Sequence, residues 1–268
     1  MQRPPFRLSL QIKPNVLDKQ LVNFRDLGVI EYKAAWDYQE KLLAGNVRAK
    51  SLRPGHPAPN DPDNVQGGGA KAVIANPVLS TEHYLLLCEH PPVYTLGKSG
   101  REENILISRQ EMQSKGIEFY HTNRGGDITF HGPGQLVGYP VFDLERFYTD
   151  IGRYLRDLEQ VIIFTLAEFG IAGMRSEGET GVWIEADKEG KARKICAMGV
   201  RCSRWITMHG FALNVNTDLA YFDHIIPCGI RNKKVTSMAL ELGRAIDFRE
   251  VKDRVCSNFE KVFNLRLK

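Results

Sequence analysis

No stretch of this 268-residue chain approaches the ~18 consecutive apolar residues of a membrane-spanning helix. The longest compact apolar run, Val161–Phe164, sits inside an amphipathic pattern. Cysteine is scarce and irregularly spaced. The five residues, Cys88, Cys196, Cys202, Cys228 and Cys256, include no C-x-x-C pair, which argues against a disulfide scaffold or a structural zinc site. Charge of one sign is also missing: 36 Lys and Arg against 32 Asp and Glu leave a net +4, with no basic stripe to suggest nucleic acid. There is no G-K-[ST] phosphate loop and no G-x-G-x-x-G opening a helix. The first residues, MQRPPFRLSLQIK, lack the apolar core of a secretory signal, so the chain reads as cytoplasmic.

What is present describes an ordinary globular chain, 43% apolar and 25% charged, long enough to bury a substantial core. Segment 31–43 carries Tyr32, Ala35, Trp36, Leu42 and Leu43 at helical spacing. RPGHPAPNDPDNVQGGG (53–69) then offers almost nothing to bury and reads as a loop within a flexible insertion at about 45–77. HYLLLCEH (83–90) reads as a buried strand stopped by Pro91 and Pro92, with a short helix near 108–115. Apolar residues stepping by three or four from Ile151 to Phe169 predict a helix that Gly170 ends. Runs 181–186, 192–201 and 205–215, joined by DKEG and CSR, spell an antiparallel meander. A last helix spans 248–263. Helices around a largely antiparallel sheet make one α+β domain over 1–268.

Three segments could carry chemistry. RGGDITFHGPGQ (124–135) is too broken for a helix; its glycines let a ligand approach the main chain, while Arg124, Thr129, His131 and Gln135 add polar groups. Two tight turns around a short strand explain the same pattern. In RKICAMGVRCSRW (193–205), Lys194 alternates with Cys196 and Met198. An inward lysine is desolvated and can serve as a general base; an outward one on an edge strand is commonplace. In HIIPCGIRNKKVTSM (224–238), Cys228 stands between Pro227 and Gly229 at a turn, where a thiol is accessible and backbone N–H groups lie close. The other four cysteines fit inert core positions better. Lys191, Arg193, Lys194, Arg201 and Arg204, with the RNKK run at 231–234, form basic clusters that suit either an acidic partner or plain solvation.

Together, RGGDITFHGPGQLVGYPVFDL, KICAMGVRCSRWITMHGFALNV and IIPCGI, preceded by LLLCEHPPVYTLGKSG, resemble the signatures of the lipoyl (octanoyl) transferase family over about 29–263. The resemblance implies a biotin/lipoate protein ligase-like fold with a central mixed, largely antiparallel sheet flanked by helices. It implies an acyltransferase moving octanoyl from the phosphopantetheine of acyl carrier protein to a lysine of lipoyl domains. Carried over by position, Cys228 is the acyl-thioester nucleophile and Lys194 the base that activates it. Arg124, Gly125, Gly126, Asp127, Ile128, Thr129, Phe130 and His131, with Ala197, Met198, Gly199, Gly210, Phe211 and Ala212, line the acyl and carbonyl site.

The implied partners are acyl carrier protein and the lipoyl domains of 2-oxoacid dehydrogenases and the glycine cleavage H protein. Neither nucleic acid nor membrane is involved, the chain acts as a monomer, and no metal or cofactor is bound. The rival readings share the fold: an ATP-dependent lipoate or biotin protein ligase, which has no need of a nucleophilic cysteine, and an amidotransferase between lipoyl domains. A non-catalytic carrier-binding module is the alternative from another class. The insertion at about 45–77 is longer than the family's usual helix-to-strand connection.

Overall fold

Every residue of the strand His83–Glu89 except the last is buried, because both faces of its sheet are covered. Leu85 and Leu87 turn to one side and Leu86 and Cys88 to the other, as strand alternation requires. The computed structural model describes residues 19–52, 80–226 and 234–268.

Twelve described strands form two sheets. In chain order they are β1 (Gln20–Val29), β2 (His83–Glu89), β3 (Val93–Leu96), β4 (Glu118–His121), β5 (Ile128–His131), β6 (Gln135–Val141), β7 (Gly173–Ser176), β8 (Glu179–Ile184), β9 (Arg193–Ser203), β10 (Ile206–Asn214), β11 (Lys234–Val235) and β12 (Leu265–Leu267). The large sheet runs β12-β1-β2-β6-β10-β9-β8-β7, with β11 pairing along part of β9. Parallel pairs β12–β1, β1–β2 and β11–β9 join an otherwise antiparallel arrangement. The small sheet is β4-β3-β5.

Helices α3 (Ile151–Glu168) and α5 (Phe248–Val262) cover one face. Leu158, Val161, Ile162, Val251, Val255 and Phe259 pack there against Leu85, Leu136, Phe211 and Leu213. Each fully buried side chain of this size stabilises the fold by roughly 1.5–3 kcal/mol. Asp150 and Asp247 cap the two helices by accepting from Arg153 N–H and from Arg249 and Glu250 N–H respectively. Gly170, at φ 80°, follows α3, as its sequence position predicts. The short α2 (Arg109–Ser114) opens with a Ser108–Glu111 capping box, and α4 (Met238–Leu242) follows β11.

The opposite face is partly covered by α1 (Tyr32–Ser51). Its buried stripe differs from the apolar reading: Tyr32, Ala35, Gln39, Leu43, Asn46, Ala49 and Lys50 are buried, while Trp36 and Leu42 are only half-buried. The polar members are bonded, which is what allows them inside. Lys50 Nζ donates to Asp143 Oδ1 and Arg204 O, both at 2.8 Å, and lies 3.0 Å from Glu145. This anchor continues the helix beyond residue 43, so positions 45–51 are helical rather than part of an insertion. Residues 53–79 lie outside the described residues.

The meander exists, with one boundary moved. Strand β9 continues through Cys202 and Ser203, and the hairpin turns on Arg204 and Trp205, at φ 49° and 64°. Two successive left-handed residues are what a tight two-residue hairpin needs. Among the described residues no helix is long and apolar enough to cross a membrane.

Candidate active site

Small residues create the site. On the face shared with α1, the large sheet presents Ala197 and Gly199 of β9 opposite Ala212 and Gly210 of β10, beside Val137 and Tyr139 of β6. This lane of missing side chains forms the floor of an open cleft walled by β5 and the 124–127 loop. A Cβ on Gly210 would lie 2.2 Å from Gly138 O, so β6 and β10 could not keep their spacing. One on Gly199 would lie 2.6 Å from Gly125 O. That contact is the seat of the 124–127 loop, whose Gly125 N–H donates to Val200 O at 3.0 Å.

Arg124 is buried and clamps the same loop. Its Nη2 donates to Thr95 O at 2.6 Å and Asp127 O at 2.8 Å, and its Nη1 to Gly125 O at 3.0 Å. Asp127 in turn accepts from Ile128 N–H at 2.7 Å and Asn104 Nδ2 at 2.6 Å. The glycine-rich segment is thus a rigid wall, with β5 and the start of β6 on either side of the Gly132–Gly134 turn.

Lys194 does not sit on a sheet edge. Strand β9 lies between β8 and β10, and where β10 ends β11 takes over, pairing Val235 with Lys194. The side chain is half-buried, lines the cleft, and holds Nζ 4.5 Å from the centroid of the Trp183 ring.

Two buried imidazoles, His131 and His209, line the cleft and a third, His90, backs its Tyr139, each with its proton placed by a neighbour. Gln135 Nε2 donates to Phe130 O and Asn214 Oδ1, so its Oε1 accepts from His131 Nδ1 at 2.8 Å. Asn123 Nδ2 donates to Glu40, so its Oδ1 accepts from His209 Nε2 at 2.8 Å. His90 Nδ1 donates to Ile30 O, leaving Nε2 to accept from Tyr139 O–H, both at 2.7 Å. Burial pushes His90 down to about 4 and His209 down to about 3, and it holds His131 well below the usual imidazole range. The Arg124 guanidinium reinforces the last two. All three rings are neutral at neutral pH.

Stability should therefore be pH-dependent. The unfolded chain binds protons on these histidines below about pH 6.5 while the folded chain does not, so stability falls as pH drops from there toward the folded values. Each ring contributes roughly 1.4 kcal/mol per pH unit across that window. Urea unfolding at about pH 7, 6 and 5 should show this decline, with a shallower slope for His209→Asn. Equal stability at about pH 7 and 5 would show that the rings charge freely in the fold.

Of the residues singled out in the sequence, the cleft brings together Arg124, Gly126, Asp127, Ile128, Thr129, His131, Lys194, Ala197, Met198, Gly199, Gly210, Phe211 and Ala212. Gly125 contributes its backbone beneath the loop, while the ring of Phe130 turns into a separate core and stacks on Tyr221 at 4.5 Å. Cys228 lies in 227–233, outside the described residues. Val137, Tyr139, His209, Asn214, Phe222 and Val235 also line the cleft. Of these, His209 carried a readable signal, a histidine next to a glycine within an otherwise apolar strand. The basic cluster is largely spoken for: Arg193 pairs with Glu241 and Glu185, and Arg201 with Glu40.

Residues 71–260 match the model of the lipoyl protein ligase A/B catalytic domain. The chain belongs to this family. An octanoyltransferase of Christiangramia forsetii is 51% identical over 250 residues, 92% of this chain and 97% of the relative. One of Parabacteroides distasonis is 52% identical over 240 residues, 90% and 97% of the two chains. Among solved structures, a bipartite lipoate protein ligase of Thermoplasma acidophilum superposes with TM-score 0.62 at 15% identity, covering 93% of this chain and 86% of that one. That likeness carries the fold: a lipoate protein ligase-like mixed sheet flanked by helices.

Proposed function

We propose that the chain transfers an octanoyl group from the phosphopantetheine thioester of acyl carrier protein to a lysine of a lipoyl domain, through a thioester on Cys228. Acyl transfer in protein lipoylation rests on relatives half identical over nearly the whole chain and named octanoyltransferase. The observation that carries the finer reading is where the flanks of Cys228 begin. Phe222 on one side and Val235 on the other line the same cleft as Lys194. Cys228 is two residues beyond Ile226, a span of at most about 7 Å by covalent geometry.

The chemistry follows from these groups. A thioester is already an activated acyl donor, so neither nucleotide nor metal is required. Lys194 takes the thiol proton as Cys228 sulfur attacks the thioester carbonyl. Collapse of the tetrahedral adduct breaks the bond to phosphopantetheine sulfur, and the departing thiolate takes that proton from Lys194. In the second half, the neutral amine of the acceptor lysine attacks the Cys228 thioester. Lys194 removes one amine proton and passes it to the leaving Cys228 thiolate, which leaves an amide on the lipoyl domain. The lane formed by Ala197, Gly199, Gly210 and Ala212 gives an unbranched acyl chain a narrow floor, and Val137 and Tyr139 flank it on the same face.

Mass spectrometry of an acceptor lipoyl domain tests this reading. With octanoyl-acyl carrier protein and no ATP, the acceptor should gain one octanoyl group. Modification only from free octanoate plus ATP would assign the chain to ligation instead.

A further inference from the structure

We propose that Trp183 is the positioning residue for Lys194, its indole face holding the lysine head group in the cleft. This rests on the reading of Lys194 as the proton-transfer residue. Three independent features build the contact. First, Trp183 is only 2% exposed and pairs directly with Lys194 across β8 and β9, with Nζ 4.5 Å from the ring centroid. A cation at that distance from an indole face is attracted by the ring quadrupole, and more strongly where water is excluded.

Second, the ladder is irregular at this point. Val182 pairs with Cys196 and Trp183 with Lys194, so β9 carries one extra residue, Ile195, between the two pairs. Such a bulge re-aims the side chain beside it. Ile195 and Cys196 both enter the main core, while Lys194 emerges over the indole at the cleft.

Third, Gly181 lets β8 approach the Cys196 carbonyl closely, beside the lysine stem. A Cβ there would lie 2.5 Å from Cys196 O and 3.6 Å from Lys194 Cε, and φ is +115°, a region side chains rarely adopt. The glycine is held by α3: Glu159, fully buried and paired with Arg156 and Arg175, accepts from Gly181 N–H at 3.0 Å. On the other flank, Thr236 N–H donates to Lys194 O at 3.0 Å. The lysine backbone is thus fixed on both sides, and the aromatic face sets where its head group rests.

The test reads the Cys228 thiol directly, by iodoacetamide alkylation mapped to its peptide. Lys194→Met should slow alkylation and acyl-enzyme formation together. Trp183→Leu should slow both by roughly tenfold in the wild-type background, with Trp183→Phe between, following the ranking of rings as cation acceptors. In the Lys194→Met background, Trp183→Leu should have no further effect, which a loss of packing alone would not produce. An equal loss from Trp183→Leu with and without Lys194 would overturn the positioning role and leave the reading of Lys194 intact. Unchanged alkylation and transfer in Lys194→Met would overturn both. If Trp183→Leu does not fold, Trp183→Phe and Trp183→Tyr in both backgrounds give the same cycle.

Discussion

Cys228→Ser is expected to reduce octanoyl transfer by roughly four orders of magnitude or more, the scale on which a covalent nucleophile fails when removed. A serine hydroxyl stays protonated where a thiol ionises, and the step from thioester to thioester is lost. Intact-protein mass spectrometry with octanoyl-acyl carrier protein should show one octanoyl adduct on the wild-type chain, mapped to the Cys228 peptide and discharged by apo lipoyl domain. The serine variant should show none. The remaining cysteines cannot substitute. Cys88 and Cys196 are fully buried, and burial pushes the thiols of Cys196, Cys202 and Cys256 up, the last to about 12. Transfer by Cys228→Ser within tenfold of wild type would overturn the acyl-enzyme route.

How far the sequence speaks depends on whether a segment's role is local. Helices α3 and α5 are legible because each has a capping aspartate and a continuous apolar stripe packed on one face. Strand β2 is legible as an unbroken apolar run, although only the fold explains why both faces are buried. Strands β1 and β12 are not legible: the long, half-exposed β1 has little apolar alternation, and the three-residue β12 owes its existence to pairing with it. In the sequence the apolar stripe of α1 runs only to residue 43, because its last turns bury Asn46 and Lys50, and lysine enters a core only when a partner such as Asp143, nearly a hundred residues away, is waiting.

The site divides in the same way. A run such as RGGDITFHGPGQ announces close backbone approach, and Gly199 and Gly210 turn out to be required by contacts of 2.6 Å and 2.2 Å that no local pattern contains. His209 could be suspected but not placed, since its tautomer depends on Asn123 and Glu40 from two other elements. Arg124 reads as a ligand-binding cation and spends donors on its own loop and on Thr95 of β3. For Lys194, the choice between an edge lysine and an inward one is settled by β11, a two-residue strand too short to predict.

The nature of that lysine's contribution can be isolated by charge-preserving replacement. Lys194→Met removes both charge and base and is expected to slow transfer by about 10²–10⁴-fold, the usual contribution of a positioned acid–base group. Lys194→Arg keeps a cation over Trp183, since a guanidinium also stacks on an indole face, but it cannot give up its proton at any working pH. If Lys194 only lowered the thiol's affinity for its proton by fixed charge, arginine would restore most of the rate. If it shuttles protons, first from Cys228 and then from the acceptor amine, arginine should stay within about tenfold of methionine. Single-turnover measurements of the two half-reactions sharpen the distinction. A fixed cation helps thiolate attack in the first half, yet it gives no help in the second, where the attacking amine must give up a proton as the amide forms. Lys194→Arg should therefore be slowed most in discharge of the acyl-enzyme to the lipoyl domain, and recovery of both halves to near wild-type rates would overturn the proton-shuttle role.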